Sequence, residues 1–214
     1  MSKDIHCFRL MPAMHIVRFA ISLTLAFAAL SLLFLSCHRD EPWQLTNVRG
    51  HLPDLKFSLT SDQGRPINEQ AFQHKITLVY FGYAHCPDVC PGTLARLMNA
   101  LQKLGDDARD VRILFISVDP ARDTPQAMHA YVQAFDARHI IGLTGSLHQI
   151  ETVARRYRVS YQRTPENPDQ SYDVMHSPTV YIFDRNQRAR LIAKPADSAG
   201  QIAHDIRLLV HNDD

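Results

Sequence analysis

Two near-continuous apolar runs, Ile76 to Tyr83 and Val111 to Val118, limit the fold more than any other feature of the chain. Both are rich in β-branched and aromatic residues, and neither alternates with polar positions. Each therefore reads as a strand buried on both faces, at the centre of a sheet. Such strands must be covered by helices. Between them Leu94, Leu97, Met98, Leu101 and Leu104 recur at helical spacing. After the second run, Thr124-Pro125 opens a helix, with the threonine as cap and the proline in the first turn. Ile140 to Leu143 reads as a short strand, and Ser146-Leu147-His148-Gln149 as a capping box leading into a helix through Arg156. Thr179 to Asp184 is a strand, Arg185-Asn186-Gln187 a turn and Ala189 to Ala193 the last strand. Ser198-Ala199-Gly200-Gln201 caps a final helix ending at His211. Ahead of all this, Leu55 to Leu59 alternates like a half-buried strand and runs into the turn Ser61-Asp62-Gln63-Gly64. The order βαβαβαββα predicts an α/β layer structure, a mixed central sheet with helices on both faces. A long loop, Arg163 to Val174, interrupts the pattern, and loops of that length tend to carry function.

The N-terminal part is of another kind. No ionised residue occurs from Phe19 to Cys37, and these 19 positions would make a helix of about 28 Å, close to a bilayer core of ~30 Å. Lys3, Arg9 and Arg18 precede the run, which keeps the N-terminus in the cytoplasm and exports the rest. The expectation is residues 1–18 in the cytoplasm, a transmembrane anchor over 19–37, a polar stalk over 38–53 and a folded domain over 54–214. The domain then faces the periplasm from the inner (cytoplasmic) membrane. A lipoprotein signal is the alternative, because Leu33-Phe34-Leu35-Ser36-Cys37 resembles a lipobox that would modify Cys37. Trp43 in the stalk would sit at the membrane interface or pack on the domain. With 23 Lys+Arg against 22 Asp+Glu the net charge is +1, and nothing in that balance points to nucleic acid.

Four cysteines, Cys7, Cys37, Cys86 and Cys90, leave only the last two in the folded domain, too few for a disulfide scaffold. They lie where a central strand becomes a helix, in Phe81-Gly82-Tyr83-Ala84-His85-Cys86-Pro87-Asp88-Val89-Cys90-Pro91. Open α/β sheets hold ligands at such junctions, and a helix N-terminus favours the thiolate. A spacing of four sets both sulfurs on one side of a helical turn, able to face one ion. Thiolates select Cu(I) or zinc over hard cations. Two sulfurs leave the coordination incomplete, and His176, in Tyr172-Asp173-Val174-Met175-His176-Ser177-Pro178, is the candidate third ligand.

The stretch Phe81 to Pro91 is similar to the copper-site motif of the Sco/SenC family. Val118-Asp119-Pro120-Ala121-Arg122-Asp123-Thr124-Pro125 resembles that family's second signature, and the Tyr172, His176, Tyr181 pattern its third. The resemblance implies a thioredoxin-like domain that carries copper, as Cu(I) or Cu(II), on Cys86, Cys90 and His176. It implies insertion of that copper into the binuclear copper centre of cytochrome c oxidase. The partner would be the oxidase's copper-bearing subunit, with another periplasmic copper chaperone or a thioredoxin-like reductant besides. Ala84 stands where the family often has Thr, and Pro178 where many members have no proline. In thioredoxin-like folds a proline before the corresponding strand faces the cysteines, so Ser177-Pro178 is a candidate cis bond. The alternative reading is a membrane-tethered thiol-disulfide reductase, with Cys86 attacking a partner disulfide and Cys90 resolving it. Two residues between the cysteines favour redox exchange; the three found here favour a chelate.

Other polar residues of these motifs have plainer expectations. His85 adjoins Cys86, but sequence neighbours point in different directions, so a supporting role is expected. Asp88 either caps the turn or shapes metal access. Asp119, Arg122 and Asp123 read as a structural turn with an Asp–Arg pair, or else as a partner surface. Met98 and Met175 read as packing residues rather than ligands.

Overall fold

The computed structural model describes residues 42–165, 167 and 172–211. The expected cytoplasmic segment and anchor (1–37), the lipobox with Cys37 and the start of the expected stalk lie outside the described residues. Among the described residues, no helix is long and apolar enough to cross a membrane.

The centre is the strand β4 (Ile76–Gly82), every residue of which is buried. It pairs in parallel with β5 (Val111–Ser117), and β5 in parallel with β6 (Ile140–Thr144). On its other side β4 pairs antiparallel with β9 (Val180–Phe183), which carries β10 (Ala189–Ala193) beyond it. The edges are short strands: β1 (Thr46–Asn47) outside β10, and the hairpin β2 (Ser58–Ser61) and β3 (Pro66–Asn68) outside β6. The result is a mixed eight-stranded sheet in a mixed α/β fold. A separate two-stranded ribbon, β7 (Tyr161–Arg163) with β8 (Val174–His176), stands apart from it.

Among the described residues, four α-helices cover the sheet: α1 (Val89–Leu104), α2 (Pro125–Gln133), α3 (Leu147–Arg156) and α4 (Ala199–His211). Their starts follow the expected chemistry. Thr124 accepts from the Ala127 amide, Ser146 and Gln149 form a complete capping box, and Ser198 and Gln201 exchange bonds in the same way. Because consecutive side chains of a strand point to opposite faces, Tyr80 and Phe81 meet different layers. Tyr80 packs on Phe115, which stacks on Tyr131 of α2, while Phe81 packs on Tyr157 just past α3. α1 runs along α4.

Four details depart from the sequence reading. Leu55 and Phe57 are buried on either side of an exposed Lys56, as the alternation expected, but they are not in a strand; pairing begins at Ser58. From Pro42 onward, part of the expected stalk is built into the domain. Leu45 is buried, β1 pairs with β10, and the buried Asp205 carboxylate of α4 accepts the Gln44 and Leu45 amides. Trp43 packs against the core, with the Arg190 guanidinium 5.8 Å from its ring. The loop from Arg163 to Val174 gives its first and last residues to the β7–β8 ribbon, and the described residues contain no cis peptide bond, so Ser177-Pro178 is trans.

Candidate metal centre

The two cysteines hang from the junction of β4 and α1. Gly82 ends β4 directly beneath the second of them. A Cβ added there would lie 2.7 Å from the Cys90 sulfur and 2.6 Å from Phe115. The chain then turns through Cys86, whose amide donates to the Tyr83 carbonyl at 3.2 Å, and enters α1 at Val89. Pro91 is in the first turn of α1, where a missing N–H leaves no bond unmade. The Cys90 amide donates to the Cys86 sulfur at 3.3 Å, so the helix start holds both thiols on one side. Both cysteines are free; Cys90 is fully buried and Cys86 half-buried.

His176 reaches this pair from β8. Its Nε2 lies 3.3 Å from the Cys90 sulfur, and Nδ1 lies 3.3 Å from the Ser177 carbonyl. An Nδ1–H donated to that carbonyl leaves the Nε2 lone pair free to face the sulfurs. Tyr83 and Tyr80 hold the imidazole edge-on, with ring centroids at 5.9 and 6.0 Å. One donor atom from each of Cys86, Cys90 and His176 lies within 4.8 Å of the others, a set that could hold one metal ion. Two sulfurs and one imidazole suit a soft ion, Cu(I) above all.

Burial sets the protonation of this group. Desolvation pushes the Cys90 thiol up to about 12, although the Tyr83 backbone and the Tyr80 side chain beside it act the other way. Burial also holds His176 below the ordinary imidazole value, which keeps the ring neutral near pH 7, the form in which an imidazole can hold a metal. Binding a metal therefore displaces a proton from Cys90.

The second motif supports the site from inside. Asp123 is fully buried; one carboxylate oxygen accepts from the Ala84 amide at 3.1 Å and the Ser117 hydroxyl at 2.6 Å. That ties the segment after β5 to the loop before Cys86. Asp119 is buried too: it pairs with Arg122 and accepts from the Tyr172 hydroxyl at 2.9 Å. The Arg122 guanidinium lies 3.7 Å from the Tyr172 ring centre and donates to the Tyr172 carbonyl. Asp119, Arg122 and Asp123 thus form a structural turn rather than an exposed partner surface.

His85 is not among the convergent donors; it turns toward Asp123, 3.5 Å away, with about half its side chain exposed. Asp88 stands at the N-cap of α1 without a side-chain bond to it, so it does not cap. Met98 packs on the core and Met175 is exposed beside His176. Sequence reasoning passed over Tyr80 and Tyr83 as packing partners of the imidazole. A tyrosine in an apolar run carries no signal that separates a core ring from one that lines a site.

The SCO1/SenC family model matches residues 44–211. A mitochondrial SCO1 homolog of Arabidopsis thaliana is 46% identical over 128 residues, 59% of this chain and 38% of its own length. A mitochondrial SCO2 homolog of Bos taurus is 41% identical over 153 residues, 71% of this chain and 57% of its own. The chain thus spans about half the length of such relatives. Among solved structures, Arabidopsis thaliana ScoI with copper bound superposes with a TM-score of 0.69 at 37% identity, over 74% of this chain and 99% of that one. Bradyrhizobium japonicum ScoI with copper bound gives 0.66 at 36% identity, over 72% and 98%.

Proposed function

The chain belongs to the SCO1/SenC family, and we propose that it is a copper metallochaperone. It binds copper through Cys86, Cys90 and His176 and delivers it to the binuclear copper centre of cytochrome c oxidase. The observation that carries this reading is the convergence of two thiols and one imidazole within 4.8 Å, from a helix start and from a separate ribbon. A reductase has no use for the imidazole; a three-coordinate copper site requires it.

The unequal burial of the ligands suits transfer. Cys90 is sealed at the base, while Cys86 and His176 are partly open. An acceptor thiolate or imidazole approaching from outside meets those two first, and copper passes by ligand exchange with no bond of a substrate broken. The relatives with copper bound support copper as the cargo. The apolar stretch from Phe19 to Cys37 supports a tether to the bacterial inner membrane, as a helix or through lipid on Cys37. That tether would hold the domain on the periplasmic side beside the oxidase subunit.

Anaerobic titration of the reduced domain, residues 42–214, tests the ligand set. One copper per chain is expected, with a sulfur-to-copper charge-transfer band after Cu(II) loading. Cys86→Ser and Cys90→Ser should each abolish the band, and His176→Ala should weaken binding by about 10-fold or more. A full band in Cys90→Ser overturns the paired-thiolate site.

A further inference from the structure

Beneath the sulfurs lies a polar group that the ligand set leaves unexplained. The Tyr80 side chain is fully buried in the middle of β4, and its hydroxyl has no hydrogen-bond partner in the structure. A buried hydroxyl without a partner is costly, and native structures keep one mainly where something else uses it. The ring is fixed by packing on Phe115 and edge-on against His176, so the hydroxyl cannot swing out to water. The groups that act on it are Thr93 and Cys90, both on the first turns of α1.

We propose that Tyr80 is a positioning residue for the metal centre, its hydroxyl donating a hydrogen bond to the Cys90 sulfur when that sulfur is a metal-bound thiolate. This rests on the copper reading above. A neutral thiol is a weak acceptor, which fits a hydroxyl left without a proper bond in the metal-free protein. A ligating cysteine is a thiolate and accepts strongly. Cys90 is buried away from water, and its other neighbour, His176 Nε2, would be occupied by the metal. The Tyr80 O–H is then, with the Tyr83 backbone, a donor at hand for the sulfur's remaining lone pairs. Hydrogen bonds from such supporting groups orient ligands and tune the metal they hold. The unfilled bond weakens the metal-free protein and strengthens the loaded one.

The test is Tyr80→Phe, which removes one oxygen and keeps the ring, measured in the full-length reduced protein. The copper-free melting temperature should equal or exceed that of the parent, because an unpaired buried hydroxyl has been removed. Cu(I) affinity should fall about 10-fold. After Cu(II) loading the sulfur-to-copper band should move to lower energy, since a thiolate deprived of a donor gives up its electron more readily. The position of the band decides. A band that stays in place overturns the proposal, whether affinity holds or falls together with the copper-free melting temperature, since the hydroxyl is then merely structural. Failure of the copper reading looks different: the parent protein itself would then take up no copper.

Discussion

Gly82 shows how narrowly the cysteine site is drawn. A methyl group at this position would meet the Cys90 sulfur at 2.7 Å and the Phe115 ring at 2.6 Å, both closer than van der Waals contact permits. Neither neighbour can yield easily, because both are fully buried. Gly82→Ala should therefore destabilise the domain by about 1–3 kcal/mol, the usual cost of overpacking, and weaken copper binding by displacing the start of α1. Gly92, also in the first turns of α1, has open space where its Cβ would be. Gly92→Ala should leave stability unchanged or raise it by up to about 1 kcal/mol. Urea denaturation of the two variants, with copper titration of each, checks this; equal effects would mean that helix propensity, not the seat of Cys90, governs the response. At this scale the sequence was informative about chemistry and silent about space. Soft donors at a strand-to-helix turn announce a metal. That Gly82 must be a glycine, and that His85 turns to Asp123, depend on which atoms face one another.

The element that brings His176 to the cysteines is short, and something must hold it in place. The β7–β8 ribbon has three residues on each strand, and an isolated ribbon of that size is marginal in water. Tyr172, just before β8, supplies the fastening. Its ring lies between the guanidinium groups of Arg122 and Arg163, at 3.7 and 3.5 Å, its hydroxyl bonds Asp119, and its carbonyl accepts from Arg122. Arg122→Ala removes a cation–π contact and a charge-assisted bond to Tyr172, together worth about 1–3 kcal/mol in a partly buried setting, and with them the ion pair to Asp119 and a cation–π contact with Tyr83. The expected outcome is faster amide exchange at Val174 to His176 and weaker copper binding. The two thiolates, held by a different element, should still give their charge-transfer band. Unchanged exchange in the ribbon would mean that Tyr172 is fastened without Arg122. Sequence patterns found the long elements and missed these. Strands of two or three residues carry too few positions to show alternation. Pro66 in β3 argues against a strand until β3 proves to be an edge, where a missing donor is tolerated.

Across the described residues, the central strands and the helices α1 to α4 followed from hydrophobic period and caps, because each is long enough to bury its own face. The margins of the sheet followed only in part: the strand expected at Leu55 to Leu59 forms later, as β2, and β1 and β3 take their positions from neighbours rather than from propensity. The same distinction between what one segment dictates and what two segments build separates the two functions open to this domain. Thiol exchange needs Cys86 and Cys90 alone, which a single segment provides. Copper transfer needs His176 as well, which comes from a ribbon 86 residues away in the chain from Cys90. His176→Ala should therefore divide them. The imidazole is partly exposed and at the end of a short strand, so the copper-free domain should melt within a few degrees of the parent. Its cysteines should still exchange with a disulfide probe in vitro, and Cu(I) should protect them less than in the parent. In cells grown at limiting copper, the variant should fail to support oxidase assembly, measured as oxidase activity in isolated membranes. If those cells assemble the oxidase normally, delivery does not pass through a site built on His176. The reductase alternative then takes its place, with the half-buried Cys86 as nucleophile and the sealed Cys90 resolving the mixed disulfide.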